Sequence, residues 1–391
     1  MSWSDPGGVG QAARRTRTSV PKLVAVGLVG VGILALLLSS CAGSHHPSTA
    51  PTAPTATTGA STSSTGVPGS TTEPAAPPGL KPVIRGLIDR NGMPPEGYPV
   101  DAWVVQVDWS ALQPTEGGPI AANNAIDQAI AAARAINSHG GHVALKLRVY
   151  AGINSPAWAM TLGGPTFPVT DSGQSGRSPR FWTPQFAQAY ATLQDELAAR
   201  YDGMPEIREV VISQCTTVFD EPFRRQVPDQ ASLNDWLSAG YTMAADEACQ
   251  KAEIDAHKVW KMTSSDLTLN QFMPVVANQS QHVDLSFPES IMQYCRQQLG
   301  VRCVLENNSL KSQPSKNLGL LYEAMQAMGG PITFQTASNA NVGDLKSAVQ
   351  LGAQLGAESI ELPMSYRSDS PSQLESLVAG AVTQMAQNPA P

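Results

Sequence analysis

Hydrophobic positions in the larger, C-terminal part of the chain follow two alternating patterns. Short apolar runs rich in Val and Ile are followed by longer segments in which apolar residues recur at helical spacing. The runs predict strands at Pro82–Leu87, Trp103–Val107, His142–Val149, Ile207–Ser213, Lys258–Met262, Val301–Leu305, Ile332–Gln335 and Glu358–Leu362. The longer segments predict helices at Ala125–Asn137, Pro184–Tyr201, Leu233–Ala252, Leu318–Met328, Val342–Leu355 and Ser372–Met385.

Eight strands separated by helices across roughly 300 residues indicate an α/β fold, and within that class a (β/α)8 TIM barrel. A doubly wound open sheet is the structural alternative. No GxGxxG motif follows an early strand, which argues against a nucleotide-binding sheet of that kind.

The N-terminal segment has the pattern of an export signal. Four basic residues between positions 14 and 22 precede an apolar run, Leu23–Leu38, which is too short for a comfortable membrane span. The run ends in Leu-Ser-Ser-Cys, which resembles the bacterial lipobox, where signal peptidase cuts before a Cys that becomes acylated. We therefore expect residues 1–40 to be a signal peptide and Cys41 to carry a lipid. An ordinary signal peptide or anchor with an incidental Cys is the alternative.

The next segment, residues 41–78, consists mainly of Ser, Thr, Pro, Ala and Gly. Such a composition cannot bury a core, so this segment is predicted to be a disordered tether between the lipid and a folded domain at residues 79–388. The sequence thus predicts an exported lipoprotein that is anchored to the outer face of the cell membrane.

Charge and cysteine content narrow the classes of partner. The net charge of −7 and the pI of about 5.4 argue against nucleic acid as a partner. Four cysteines remain besides Cys41, an even number in a chain predicted to be exported, and we expect the pairs Cys215–Cys249 and Cys295–Cys303. Because the cysteines lack CxxC spacing and no HExxH motif occurs, neither a metal site nor a cofactor is expected.

The most informative stretch is ISQCTTVFDEPF, Ile212–Phe223, at the end of the predicted fourth strand. It places the adjacent acids Asp220 and Glu221 just past a buried strand. In a TIM barrel, chemistry gathers at the carboxyl ends of the strands. Both acids are therefore predicted to lie at the functional rim, with Glu221 directed toward the barrel axis.

These residues resemble the (β/α)8 glycoside hydrolases of clan A, which includes families 5 and 42. In that clan the fourth strand ends in Asn-Glu-Pro, with the Glu as general acid/base, and this chain has Asp220-Glu221-Pro222. Looser similarities lie in VDWSALQPTEGG (107–118), LKLRVYAGINSPAW (145–158) and FWTPQFAQAYATLQDELAARY (181–201). The resemblance implies a carbohydrate substrate, either a polysaccharide or an oligosaccharide, with Glu221 as the general acid/base.

Glycoside hydrolysis needs a second carboxyl group across the scissile bond. In the clan this is a Glu at the end of the seventh strand, where this chain has Gln335, an amide that cannot attack the sugar. Glu306, at the predicted end of the sixth strand, is the preferred substitute, and a wide separation from Glu221 would favour inversion. Glu361 and Asp266 are further candidates.

Substrate-binding roles are predicted for polar and aromatic residues at the predicted strand ends. Asp220 is expected to orient groups in the site, and the other residues are Trp109, Arg148, Trp158, Trp182, Asn308, Gln335 and Tyr366. The alternatives are structural: Glu221 caps a segment or pairs with a following Arg, Glu306 forms a rim salt bridge, and Glu361 pairs with a buried base such as Arg148. The sequence therefore leaves two functions open, a glycosidase and a carbohydrate-binding barrel that has lost its nucleophile.

Overall fold

A computed structural model describes residues 76–277 and 282–389. The predicted signal peptide, Cys41 and the tether up to residue 75 lie outside the described residues. Within those two described ranges, no helix has both the length and the apolar character that a membrane crossing requires.

The fold is a (β/α)8 barrel, as the sequence predicted. Eight parallel strands close into a ring in the order β1-β10-β9-β8-β7-β6-β3-β2. The strands are β1 (Gly86–Asp89), β2 (Ala102–Asp108), β3 (Ala144–Tyr150), β6 (Ile207–Val211), β7 (Ser264–Leu269), β8 (Cys303–Leu310), β9 (Ile332–Thr336) and β10 (Ser359–Leu362), and the antiparallel pair β4 (Phe167–Asp171) and β5 (Gln174–Ser178) lies outside the ring. Because β1 pairs with both β10 and β2, the sheet has no open edge, and the open-sheet alternative is excluded.

Helices follow most of the barrel strands. They are α1 (Trp109–Leu112), α2 (Ala125–Ser138), α3 (Pro184–Tyr201), α4 (Gln230–Ser238), α5 (Met243–Ala256), α6 (Ser286–Leu299), α7 (Lys316–Met328), α8 (Leu345–Gln354) and α9 (Pro371–Gln387). Between β1 and β2 the described chain forms no helix, in keeping with the Pro and Gly content of that connection.

The predicted fifth strand, Lys258–Met262, was wrong. That segment contains a short 3-10 turn, His257–Val259, and the strand is β7, which begins two residues later at Ser264. The prediction failed because it looked for a continuous apolar run. In β7 the inward side chains Ser264, Asp266 and Thr268 are polar, so the strand alternates in character instead.

The sixth strand was predicted to end too early. β8 runs to Leu310, five residues beyond the predicted end at Leu305. Glu306 therefore lies in the middle of a strand and not at its end. Asp266 likewise lies within β7, whereas the sequence placed it after a strand.

Other elements were missed or merged. The sequence analysis did not find α6 or the hairpin β4–β5, and it merged α4 with α5. The break between those two helices is at Gly240, which has a φ of 87°. Helix α5 then begins after its N-cap residue Thr242, whose side chain accepts a hydrogen bond from the Ala245 N–H.

The barrel strands have faces of opposite character. Outward residues of β3, such as Leu145 and Leu147, are buried in an apolar shell beneath the helices. Inward residues at the amino end form a small apolar floor that includes Ile88 and Val104. Above the floor the inward residues Lys146 and Arg148 are charged, so the upper lumen is polar although it is buried.

Both predicted disulfides are present. Cys215 is bonded to Cys249, with Cα atoms 6.0 Å apart, and this bond ties the segment after β6 to α5. Cys295 is bonded to Cys303, with Cα atoms 5.9 Å apart, and this bond ties α6 to the start of β8. Each bond therefore fixes a helix against the strand region that it covers.

The two disulfides should contribute unequally to stability. Cys215–Cys249 closes a separation of 34 residues and Cys295–Cys303 one of 8. Chain entropy then gives about 4 kcal/mol for the first bond and about 2.5 kcal/mol for the second. Chemical unfolding of the Cys215→Ala/Cys249→Ala and Cys295→Ala/Cys303→Ala variants measures both losses in the free energy of unfolding. A greater loss in the free energy of unfolding from removing Cys295–Cys303, the bond that closes the shorter loop, would contradict the entropic account.

Candidate functional site

The centre of the barrel lumen is a buried ammonium group surrounded by carboxyl groups from four strands. Lys146 Nζ lies 2.8 Å from Glu306 Oε1 and 2.8 Å from Glu361 Oε1. It also contacts Asp266, and Glu209 Oε2 lies 4.0 Å away. All five side chains are at most 1% exposed. Charged groups without access to water are stable only if opposite charges compensate them locally.

The carboxyl groups of this cluster have pKa values shifted in opposite directions. Burial, followed by the charge of Asp266, raises the pKa of Glu306 well above its usual value. Burial would also raise the pKa of Glu361, but the adjacent Arg148 and Lys146 lower it instead. The surroundings therefore favour the neutral form of Glu306 and the ionised form of Glu361. The same two cations confirm the sequence alternative that Glu361 pairs with a buried base.

Arg148 connects this cluster to the carboxyl end of the barrel. It follows Lys146 by two residues on the same inward face of β3. Its Nη2 donates to Glu361 Oε1 at 2.9 Å, its Nη1 donates to Gln335 Oε1 at 3.2 Å, and its Nε lies 2.6 Å from Asp220 Oδ2. Three residues singled out from the sequence, Arg148, Asp220 and Gln335, are thus brought together by direct contact.

Glu221 lies beside this group and has a different environment. Its Oε1 accepts a hydrogen bond of 2.7 Å from the side-chain amide of Asn270, and Arg224 Nη1 lies 3.8 Å from its Oε2. Burial, with a contribution from Asp220, raises the pKa of Glu221 to about 7, although Arg224 and Asn270 oppose the shift. A carboxyl group that changes protonation near neutral pH is suited to general acid–base chemistry.

The hairpin β4–β5 helps to hold the rim around Glu221. Its residue Asp171 is 3% exposed and lies 2.7 Å from Arg224 Nε. Because Arg224 is held mainly by Asp171, it neutralises Glu221 only in part. The hairpin thereby affects how acidic Glu221 is.

The structure adds rim residues that the sequence analysis did not identify. Tyr150 donates a hydrogen bond of 2.9 Å to Gln106 Oε1, and Gln106 donates to the backbone carbonyl of Arg90. Tyr150 and Gln106 continue the inward alternation of β3 and β2, a pattern that would have found them. Asn270 was missed because its strand was misplaced.

Glu306 and Asn308 lie at different depths on β8. Thr268 donates to Glu306 Oε2 at 3.1 Å, and Asn270, which holds Glu221, follows Thr268 by two residues, immediately after the end of β7. Two residues along a strand span roughly 7 Å, so Glu306 lies one layer below the rim. Asn308 lies higher, is 7% exposed, and has a buried Oδ1 without a hydrogen-bond partner in the described structure.

The predicted aromatic platforms have little open surface. Trp109 is fully buried, edge-on to Trp158 and other rings, and Tyr366 is fully buried with its hydroxyl on Asp89. Neither ring therefore offers the open face that the predicted sugar contact requires. Trp158 is half-buried, with its indole N–H donating to the Gln113 carbonyl, and Trp182 belongs to an aromatic cluster beneath the hairpin.

Two cavities bear on possible ligands. One of about 310 Å³ adjoins Glu221, because Arg224 and Asn270 line it and also contact that acid. Another of about 600 Å³ is lined mainly by residues of α3 and α5. In the described ranges, no group of three or more His, Cys, Asp or Glu side chains is arranged to hold a metal ion.

Comparison with known proteins finds similar barrels at low sequence identity. An endo-glycoceramidase II from Rhodococcus sp., in complex with a five-membered iminocyclitol, aligns with a TM-score of 0.43 and 12% identity over 73% of this chain and 74% of its own. A β-galactosidase from Rahnella sp. R3 aligns with a TM-score of 0.45 and 12% identity over 78% of this chain and 56% of its own. Morphinone reductase in complex with tetrahydroNAD aligns with a TM-score of 0.41 and 15% identity over 77% of this chain and 88% of its own. No family model and no curated protein sequence matches the chain.

These matches concern architecture alone. One barrel fold supports many unrelated reactions, so the chemistry of this chain depends on its own side chains.

Lys146 should be essential for stability, whereas the raised pKa of Glu306 should make that acid replaceable. Lys146→Met leaves buried carboxylates without their cation, so the free energy of unfolding should fall by about 3–5 kcal/mol. Glu306→Gln keeps the shape of the side chain and removes a group whose charged form burial disfavours, so it should cost much less. Denaturant unfolding of both variants near pH 7 measures the difference. Equal losses would show that Glu306 is ionised in the folded protein.

Glu221 should make stability depend on pH in a defined direction. Between its ordinary pKa of 4.5 and the folded value of about 7, the folded protein retains a proton that the unfolded chain releases. Raising the pH through this interval therefore destabilises wild type by up to about 3 kcal/mol, with no further change from this group above it. Unfolding of wild type and Glu221→Gln from pH 4 to 8 isolates the effect as a difference. A pH-independent difference would contradict the raised pKa.

Proposed function

We propose that the carboxyl end of this barrel is a carbohydrate site at which Glu221 acts as the general acid in the hydrolysis of a glycosidic bond. The observation that carries the proposal is the environment of Glu221, a rim carboxyl group with a pKa of about 7. A glycosidase needs an acid that is still protonated near working pH in order to donate to the leaving oxygen.

The surroundings of Glu221 support a sugar as the ligand. Asn270, Asn308, Gln335 and Tyr150 are amide and phenol groups at the same end of the barrel, and each can donate and accept hydrogen bonds. Asn308 in particular has a buried oxygen that accepts no hydrogen bond from the described residues. Sugar hydroxyl groups are the natural partners of such side chains.

The second carboxyl group in this proposal is Asp220, not Glu306. Glu306 is fully buried, with Lys146 on one carboxyl oxygen and Thr268 on the other, so it cannot serve a water molecule at the rim. Asp220 Oδ2 lies 2.6 Å from Arg148 Nε, and Asp220 is next to Glu221 in the chain. In the mechanism, Glu221 protonates the leaving oxygen while Asp220 accepts a proton from the attacking water.

A carbohydrate-binding barrel without hydrolysis is the second candidate. It is favoured by Gln335, which stands where the related glycosidases have their nucleophile and which accepts a hydrogen bond from Arg148. It is also favoured by the ion pair of Asp220 with the same arginine, which occupies an oxygen of the carboxyl group that hydrolysis would need.

Glu221→Gln distinguishes the two functions. It keeps the shape of the side chain but removes the transferable proton, so hydrolysis should fall by about 10²–10⁴-fold while glycan binding survives. Asp220→Asn should also lower the rate, whereas Gln335→Ala, which removes an amide, should change the rate far less. Reducing-sugar release from a panel of polysaccharides, with binding measured on the same panel, provides both readouts. Wild-type activity should decline as the pH rises above about 7, where Glu221 loses its proton.

Two other outcomes would contradict the proposed hydrolysis. If wild type binds a glycan without releasing sugar, and Glu221→Gln binds it equally well, the protein is a binding barrel. If no glycan of the panel is bound, the carbohydrate proposal itself fails.

A further inference from the structure

The cavity beside Glu221 has an unusual charge pattern. It has a volume of about 310 Å³, at the lower end of the range for small-molecule sites. Three of its lining residues are cations, Arg224, Arg225 and Lys311, and none of the described lining residues is acidic.

The three cations differ in whether an acidic side chain compensates their positive charge. Arg225 is fully buried and lies 2.6 Å from Asp246 Oδ1, so its charge is used inside the protein. Arg224 lies 2.7 Å from Asp171. Lys311 forms no ion pair with any residue in the described part of the chain, and its side chain is only half-buried. Lys311 is therefore the cation of this cavity that remains available to a ligand.

The neighbouring helix adds to the positive potential. Ser315, the N-cap of α7, lines the cavity, and its hydroxyl accepts a hydrogen bond from the N–H of Leu318, which also lines it. The positive end of this 13-residue helix thus faces the same space as Lys311. Ser309 and Gln271 supply neutral hydrogen-bonding groups beside them.

We propose that this cavity is a specificity subsite for an anionic substituent on the sugar next to the scissile bond, with Lys311 as its principal contact. The proposal rests on the proposed carbohydrate function and adds a substrate class, acidic saccharides. Arg224 and Asn270 connect the subsite to Glu221, so a sugar ring held at Glu221 directs a neighbouring ring into the cavity. A carboxylate of a uronic acid and a sulfate ester both have the required charge.

The test compares three defined oligosaccharides with the full chain purified in detergent. They are an oligogalacturonide, the same oligosaccharide after reduction of its carboxyl groups to neutral galactose, and a sulfated galacto-oligosaccharide. Titration calorimetry at low and physiological salt gives the affinities. We expect at least one acidic probe to bind about tenfold or more tightly than the neutral one, with the preference weakening in salt. The better acidic probe identifies the anion as carboxylate or sulfate.

Matched variants assign the effect to Lys311. Lys311→Met should bring the acidic probes to within about twofold of the neutral one, and Lys311→Glu should reverse the preference. Lys261→Met is the control, because Lys261 is exposed just before β7, at the opposite end of the barrel, and its loss changes the net charge equally. Circular dichroism and melting curves verify that each variant is folded.

The outcomes separate this inference from the proposed function. Equal binding of acidic and neutral probes, no binding of any probe, or a preference that survives Lys311→Met overturns the subsite. Binding that depends on Lys311 without sugar release supports the subsite and contradicts hydrolysis. Hydrolysis of neutral glycans without any preference for acidic ones leaves Glu221 as the general acid and removes the subsite.

Discussion

The ion cluster around Lys146 is the interaction on which the rest of the barrel depends. Its ammonium group contacts carboxyl groups contributed by four different strands, all of them shielded from water. The lumen of a TIM barrel is ordinarily filled by branched apolar side chains. Here apolar side chains, among them Ile88 and Val104, fill only the amino end of the lumen. Above them the lumen is filled by charged side chains that compensate one another. Since an unpaired buried ion costs several kcal/mol, each acid constrains the position of the others.

This arrangement sets the properties of the rim above it. Arg148 projects from the same face of β3 as Lys146, so the strand that organises the lumen also delivers a guanidinium group to Asp220 and Gln335. Glu306 and Glu221 show how depth decides the role of an acid. Burial and the charge of Asp266 raise the pKa of Glu306 well above its usual value, and Lys146 and Thr268 occupy its two carboxyl oxygens. Glu221 lies about one layer higher, where burial is balanced by Arg224 and Asn270, and its pKa falls near neutrality.

The chemistry of this barrel depends on its side chains and not on its fold, because one barrel architecture supports many unrelated reactions. The rim of this barrel has an acid suited to proton transfer, a set of amides suited to hydroxyl groups, and an adjoining cavity with a lysine that forms no ion pair with the described residues. These features are the basis of the proposed site for a polar ligand.

The sequence by itself determined the barrel, both disulfides, and the position of Asp220 and Glu221 past the fourth strand, because apolar periodicity and residue spacing are local properties. It also identified Arg148 and Gln335, which the structure brings into contact. The tertiary structure decided the rest. Glu306 became a buried residue because β8 continues beyond it. Asn270 reached Glu221 from the end of β7, a strand whose polar alternation hid it from a search for apolar runs. Trp109 became core because helix packing covers it. The depth of a side chain in the lumen, the compensation of its charge and its pKa all depend on which strands face one another. The closed barrel determines that arrangement, and the sequence pattern does not.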